Sequence, residues 1–523
     1  MSGLRVGLIL YGLLNALLYS GLLPLWEGFD EPFHYGYVQS LSNHGTLPVL
    51  NRTPLSDEIW ASLKLAPASH VVRRNMPGLT TFAEYFQLEN SERWRRRAEL
   101  EDLPPALRFS SSLGGENYEA QQAPLAYLLL AIPDRIWADT PLPRRVLGLR
   151  LICAMAAVVA VSLCTFQLGA KLKLPPQFQH AALFLVLSTQ MFYAATAHIA
   201  NDWLAIPLLG FLLLAAIAFH ENPSLRSSLV LALALSAGLL TKAYFLIFVP
   251  FTTALVLWFA IRRRVNLKSV AGFLLLAGVL SGPWYVRNWM LYGNLIGLQN
   301  SVAAIRWPAL LASFVSVPWP AALVASSRSS LWLANNTFST FSRTTLDVML
   351  ALLTAAGLLY LRSAVKNRPA PAERFLIGGC LAHSVALVYS VVLLFVISKD
   401  LTQGAPPWHT QALVPPMFCL LFCGLARSGM WGRVLTALML GLWTYVIAAT
   451  YLAKLIPLYG GYPPARARFS ALLDWYVRDW ARLRDILATT CMTDPNTLFA
   501  LTAATLAAAL LICFLLVREQ FAP

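Results

Sequence analysis

The sequence predicts an all-α, polytopic membrane protein, and three observations carry that prediction. Of its 523 residues, 57% are hydrophobic and only 12% are charged, where an ordinary soluble domain carries about 25% charged residues. The mean hydropathy is +0.59. Apolar stretches of roughly 20 residues recur, with Lys and Arg gathered in alternate connections, as spanning and orientation require. The net charge of +15 therefore reads as membrane topology, and nucleic acid is not an expected partner. The seven cysteines, of which only Cys491 lies clearly in a loop, supply neither a disulfide framework nor a CxxC metal pattern.

Twelve spans are predicted. The first, about residues 4 to 25, reads as a retained anchor, longer than a signal-peptide core and without a small-residue cleavage site. It leads into a long outer loop, 26–145. In that loop Arg95/Glu99 and Arg97/Glu101 suit a solvated helix. Ala123–Trp137 is apolar for only about 15 residues and is broken by Pro124 and Pro133, so it is expected to lie in the membrane interface. Keeping it out of the membrane fixes the parity of every later span. The others are expected at about 147–169, 177–197, 203–219, 227–241, 244–261, 267–286, 345–361, 375–397, 411–426, 433–453 and 497–517. Inner connections then collect Lys171, Lys173, Arg226, Arg262–Arg264, Lys268, Arg362, Lys366, Arg368, Arg374, Arg427, Arg433 and Arg518, as the positive-inside rule demands. The long outer loops, 26–145, 287–344 and 454–495, suggest a cap over a membrane base. No internal repeat of the transporter kind is found.

The same parity brings isolated polar residues to one membrane surface: Asp30, Glu31 and His34 after the first span, His198, Asn201 and Asp202 after the third, Lys242 after the fifth, and Arg287 after the seventh. Ionisable groups at that depth are costly and commonly functional. A carboxylate there can take a proton from an incoming hydroxyl or amine, and Lys or Arg can neutralise a phosphate leaving group. Each residue also has a plainer reading. Asp30 and Glu31 can solvate a helix end, Asp202 can cap the next span, Lys242 can snorkel, and Arg287 can sit in an aromatic belt with Trp284 and Trp289. His34, four residues after Asp30, can bind metal, tune the carboxylate, or be a simple interfacial histidine. Asp30-Glu31-x-x-His34 is not a HExxH zinc pattern. In the later half Lys399, Asp400, Gln403, Trp408 and His409 precede the tenth span, and Arg343 lies in another outer segment. Asn51-Arg-Thr53 and Asn335-Asn-Thr337 match the N-glycosylation pattern.

Several of these stretches resemble a known family. Trp26-Glu-Gly-Phe-Asp-Glu-Pro-Phe-His-Tyr with Gly45-Thr-Leu-Pro48 is similar to the first outer loop of GT-C-type glycosyltransferases, the superfamily of protein O-mannosyltransferases and the lipid A aminoarabinose transferase. Tyr118–Tyr127 resembles that superfamily's juxtamembrane helix, and Ala197-His-Ile-Ala-Asn-Asp-Trp-Leu its second acidic site. Gly238-Leu-Leu-Thr-Lys-Ala-Tyr and Gly282-Pro-Trp-Tyr-Val-Arg-Asn resemble its lysine-bearing segment and a recurrent span ending. The resemblance covers residues 1 to 300 well and implies a catalytic transmembrane module there, with 301–523 supplying further helices and outer loops and no separate soluble domain. It implies a GT-C fold in an inner or plasma membrane. The implied activity is inverting transfer of a sugar from a polyprenyl-phosphate donor to a lipid, glycan or protein acceptor at the outer face, among membrane lipids. Asp30, Glu31 and Asp202 would be catalytic. His34, His198, Asn201, Lys242, Arg287 and His409 would bind substrate, Lys242 and Arg287 at the donor phosphate. No cofactor is firmly implied, and a divalent cation between the two acidic sites stays open. The rival expectation is a transporter or flippase of lipid-linked glycans.

Overall fold

The computed structural model describes residues 3–298, 302, 305–398, 404–462 and 469–522. The described chain is helical apart from loops and three isolated β-bridges. Among the described residues, ten helices are long and apolar enough to cross a membrane, or eleven if a bent pair counts as one span. The protein is therefore an all-α, integral multi-pass membrane protein.

All twelve predicted stretches are largely helical. Two fall short of spanning length as single helices. The third is split into Pro176–Ser188 and Gln190–Thr196 at Thr189, whose extended ψ of 101° interrupts the hydrogen-bond ladder. The fifth, Leu225–Leu239, has 15 residues, about 22 Å at 1.5 Å per residue. One apolar pair is not anticipated by the sequence pattern, Trp307–Ser316 and Trp319–Leu331, bent by 88° at Val317-Pro318. Val317 is extended there, as a residue before proline prefers.

The first helix, Gly3–Leu22, is central. It packs against Leu142–Lys171, Pro176–Ser188 and the last helix, Pro495–Phe521. Gly12 and Gly424 permit close approach: a Cβ on Gly424 would collide with the Cα of Tyr360, so Arg343–Lys366 and Val414–Ala426 touch through backbone. Elsewhere large apolar side chains face outward along the long helices, among them Leu275, Val279, Leu361, Leu381, Leu511 and Phe514, as lipid-facing helices require and soluble surfaces rarely allow. All seven cysteines are free.

The 26–141 segment forms a cap of short helices. Asn90–Glu101 carries the predicted Arg95–Glu99 and Arg97–Glu101 pairs. Leu125–Ile136 matches the predicted interfacial stretch, as a 12-residue helix too short to cross a membrane. Within the cap, and reaching Arg145 at the start of the next long helix, runs a buried polar network. Asp134 accepts from Arg108, Ser42 and Tyr35, while Arg145 joins Glu58 and Tyr35. At the far end of the bundle Lys171 pairs with Glu221 and Arg427 with Glu373. Glu221 closes a 20-residue helix that Asp202 opens, so that basic end lies about 30 Å from the Asp202 end.

Candidate active site

Where the first helix ends, residues 23–30 fold tightly, and Trp26 and Asp30 both hold left-handed backbone (φ 64° and 52°). Such geometry is uncommon for residues with a Cβ and clusters at functional sites. Two contacts hold it. Gly28 lies against His198, whose side chain would collide with a Cβ added there. Asn336 donates its side-chain amide to the Gly28 carbonyl at 2.8 Å, and its backbone N–H donates to the Glu27 carbonyl at 3.1 Å.

Asp30 caps the helix Glu31–His44 and lines a pocket of about 60 Å³. Into it come His34, Glu119 and Gln122 from the cap, His198, Asn201 and Asp202 from the start of the fourth span, Lys242 from beyond the fifth, and Trp408 and His409 from the later half. Seven of the nine predicted residues thus share one pocket: Asp30, His34, His198, Asn201, Asp202, Lys242 and His409. Tyr118 donates its hydroxyl to Asp30 Oδ1. Burial pushes the Asp30 carboxyl above its usual range, against the Tyr118 hydrogen bond and the Lys242 charge. Lys242 Nζ donates to Asp202 Oδ1 at 2.5 Å, so the predicted cation and the predicted second acid are an ion pair. Asn201 bridges Gln122 and the Thr241 carbonyl, tying cap to bundle. His34 Nδ1 meets the Tyr127 hydroxyl at 2.8 Å. Burial, with His198 and Lys242 nearby, pushes its pKa well down. His198 is pushed down to about 4, chiefly by burial. His409 presents its backbone carbonyl to His383 and its ring to Tyr244.

Two predicted residues are turned elsewhere. Glu31 is fully buried and held by Arg150, whose Nε and Nη2 donate at 2.7 and 2.5 Å. Its Oε1 also accepts from the Ile199 N–H. The protein thus occupies both of its oxygens, which favours positioning of the loop over the catalytic role expected for it. Arg287 does not line the pocket. Its Nη2 donates to the Pro48 carbonyl at 2.7 Å, and its guanidinium sits 5.0 Å from the Trp284 ring centre, the aromatic-belt reading. Arg343 is exposed at the start of its helix. Lys399, Asp400 and Gln403 lie outside the described residues. Asn335 of the glycosylation-type match is fully buried, bonded to Tyr19 and the Ala194 carbonyl, out of reach of a modifying enzyme in the folded chain.

Sequence reasoning does not single out Glu119, Tyr118 or Arg150. Glu119 is buried in the pocket, takes a 2.7 Å bond from Gln122, and is pushed up to about 8 by burial and then by Asp30. It sits inside the Tyr118–Tyr127 stretch, whose pattern signals a helix rather than an acid. Arg150 lies just inside a predicted span, where an unpaired guanidinium is expensive; that cost is the signal that could have found it. Among the described residues no three His, Cys, Asp or Glu side chains are arranged to hold a metal ion.

The solved structures that align with the chain include two of one protein. The crystal structure of ArnT from Cupriavidus metallidurans bound to undecaprenyl phosphate aligns with a TM-score of 0.47 and 12% identity, over 99% of this chain and 78% of that one. The apo state of ArnT from the same organism aligns at 0.39 and 13%, over 88% and 74%. No protein-family model and no curated protein matches the chain.

Proposed function

We propose that this protein is a GT-C-type membrane glycosyltransferase that moves a sugar from a polyprenyl-phosphate carrier to an acceptor at the extracytoplasmic face. The observation that carries the reading is the meeting, in one buried pocket at a bundle end, of a strained and hydrogen-bonded Asp30 with a lysine that enters from another span. The motif resemblance over residues 1 to 300 points the same way. Asp30 takes the proton of the acceptor hydroxyl or amine. The freed lone pair attacks the anomeric carbon, the bond from that carbon to the phosphate oxygen breaks, and the lipid phosphate leaves with its electrons, which inverts the anomeric centre.

Lys242 supplies charge to the leaving phosphate, releasing Asp202 as the phosphate replaces it, an electrostatic contribution of the kind that commonly dominates such steps. Glu119, its carboxyl pushed up to about 8 by burial and then by Asp30, adds no further full negative charge beside Asp30 near neutral pH. Tyr118 orients Asp30 through its hydroxyl. Trp408 and His409 close the pocket from the later half of the chain.

The test uses purified full-length protein in nanodiscs with radiolabelled polyprenyl-phosphate sugars and total membrane lipid as acceptor. Asp30→Asn is expected to lower transfer by about 10²- to 10⁴-fold, the usual worth of a general base. Full transfer by that variant would overturn the assignment. Movement of a labelled lipid-linked glycan across vesicles with its covalent structure unchanged would instead identify a flippase.

A further inference from the structure

The pocket around Asp30, at about 60 Å³, has room for reacting atoms but not for a whole acceptor. A second cavity, of about 790 Å³, lies on the other side of a single loop. Residues 334–339 form that partition. Ala334 and Ser339 pair as an isolated bridge, and Phe338 at the tip has φ 50°. On one side Phe338 packs against Phe29, which lines the small pocket. On the other, Asn336 and Thr337 line the large cavity while bonding to Gly28 and Glu27, two and three residues before Asp30.

The cavity walls come from the cap, from residues 458–462 and from residues 475–482. They present aromatic rings, Phe86, Tyr462 and Trp475, with Tyr462 and Trp475 edge to face at 5.0 Å. They also present Gln87, Asp479 and Arg482. Trp475 comes from the helix Phe469–Arg478, Asp479 from the junction where its N–H donates to the Trp475 carbonyl, and Arg482 from the next helix, Trp480–Thr490, so the turn between two helices brings one ring, one acid and one guanidinium to the same cavity. Flat apolar faces beside a few fixed donors and acceptors suit one class of ligand well. A pyranose stacks its C–H face on an aromatic ring and offers its hydroxyls to carboxylate, guanidinium and amide.

We infer that this cavity is a saccharide-binding site, and, resting on the transferase reading above, that it seats the glycan part of the acceptor with its reactive group directed past the 334–339 partition toward Asp30. Neither its aromatic wall nor Asp479 and Arg482 take part in the Asp30 pocket, so binding and chemistry separate by mutation.

The experiment is saturation-transfer NMR on the full chain in nanodiscs with maltotriose, mannotriose and chitotriose as probes. Transfer to the ring protons of at least one trisaccharide is expected, weakened at least tenfold in apparent affinity by Trp475→Ala and by the exposed Asp479→Asn, and unchanged by Asp30→Asn. Absence of transfer to all three, or equal transfer in the Trp475 and Asp479 variants, overturns the site. So does displacement of the bound trisaccharide by short-chain phosphatidylglycerol at equal concentration, which would make the cavity a seat for sugar-free lipid. A shortened glycolipid and the matching free trisaccharide distinguish a lipid-borne glycan from a free one by which competes better. Saccharide binding that survives while Asp30→Asn keeps full sugar transfer would sink the catalytic reading and the orientation toward Asp30, and leave the saccharide site itself standing.

Discussion

Glu31 and Arg150 are both fully buried, and their pairing fixes the loop that presents Asp30. Removing one partner of such a pair leaves an uncompensated charge, at a cost of about 3–5 kcal/mol. Arg150→Met is therefore expected to lower the melting temperature in detergent sharply, and Arg150→Met with Glu31→Leu to recover much of the loss. If Glu31→Gln instead abolished transfer with an unchanged melting temperature, Glu31 would be a reacting group after all. Glu27 offers a second residue-scale prediction. Burial pushes its carboxyl up to about 8 against hydrogen bonds from Thr337. In the unfolded chain it ionises near 4.5, so between those values the folded state holds a proton the unfolded state has lost. Stability is thus expected to fall as pH rises from about 5 to 8. Glu27→Gln should flatten that slope in thermal unfolding followed across the same pH range. Asp30 is also raised by burial, and as a base it works only once deprotonated. The acidic limb of kcat/KM is expected above the pH of an ordinary aspartate, and Tyr118→Phe should move it further up by removing a bond that favours the charged form.

At the scale of elements, the hydrophobic stretches declared themselves because length and apolarity alone decide whether a helix can cross a membrane. What the sequence hid was how the stretches break. Thr189 carries no Pro or Gly signal, yet the chain kinks there, and the Val317-Pro318 bend was invisible because its two helices are individually short. Close contact was hidden for the same reason, since only the neighbour decides which glycine matters. Gly424 faces the Tyr360 backbone, and Gly424→Ala is expected to push Arg343–Lys366 away and lower the melting temperature by several degrees. Gly278, with nothing within 4 Å, should tolerate the same change. Because alanine is the better helix former, propensity alone favours the change at both sites, and equal loss at both would mean that contact with Tyr360 does not govern the effect.

For the whole molecule, parity was enough to predict that Asp30, Asp202 and Lys242 meet, because alternating spans sort polar residues by end regardless of packing. It was not enough to tell pocket from wall. Arg287 emerges at the same end but is drawn off by the Leu47 and Pro48 carbonyls, and Glu119 comes from a part of the cap that topology does not order. Sidedness is itself measurable: Ser91→Cys on the cap should react with a membrane-impermeant maleimide added outside intact cells, and Lys366→Cys only after permeabilisation. The reverse pattern would turn the protein over and place the pocket in the cytoplasm.

The central position of Gly3–Leu22 also sets a timetable. One of its faces is covered by Pro495–Phe521, roughly 470 residues later. At about 5–20 residues per second of synthesis, that face waits tens of seconds before its partner exists. During the wait Asn15, which ends bonded to Tyr451, is a polar group in the bilayer without its final contact. That face of the early helix therefore stays open to lipid or to other helices until Pro495–Phe521 is made, whereas His409, the latest residue lining the Asp30 pocket, is made well before it.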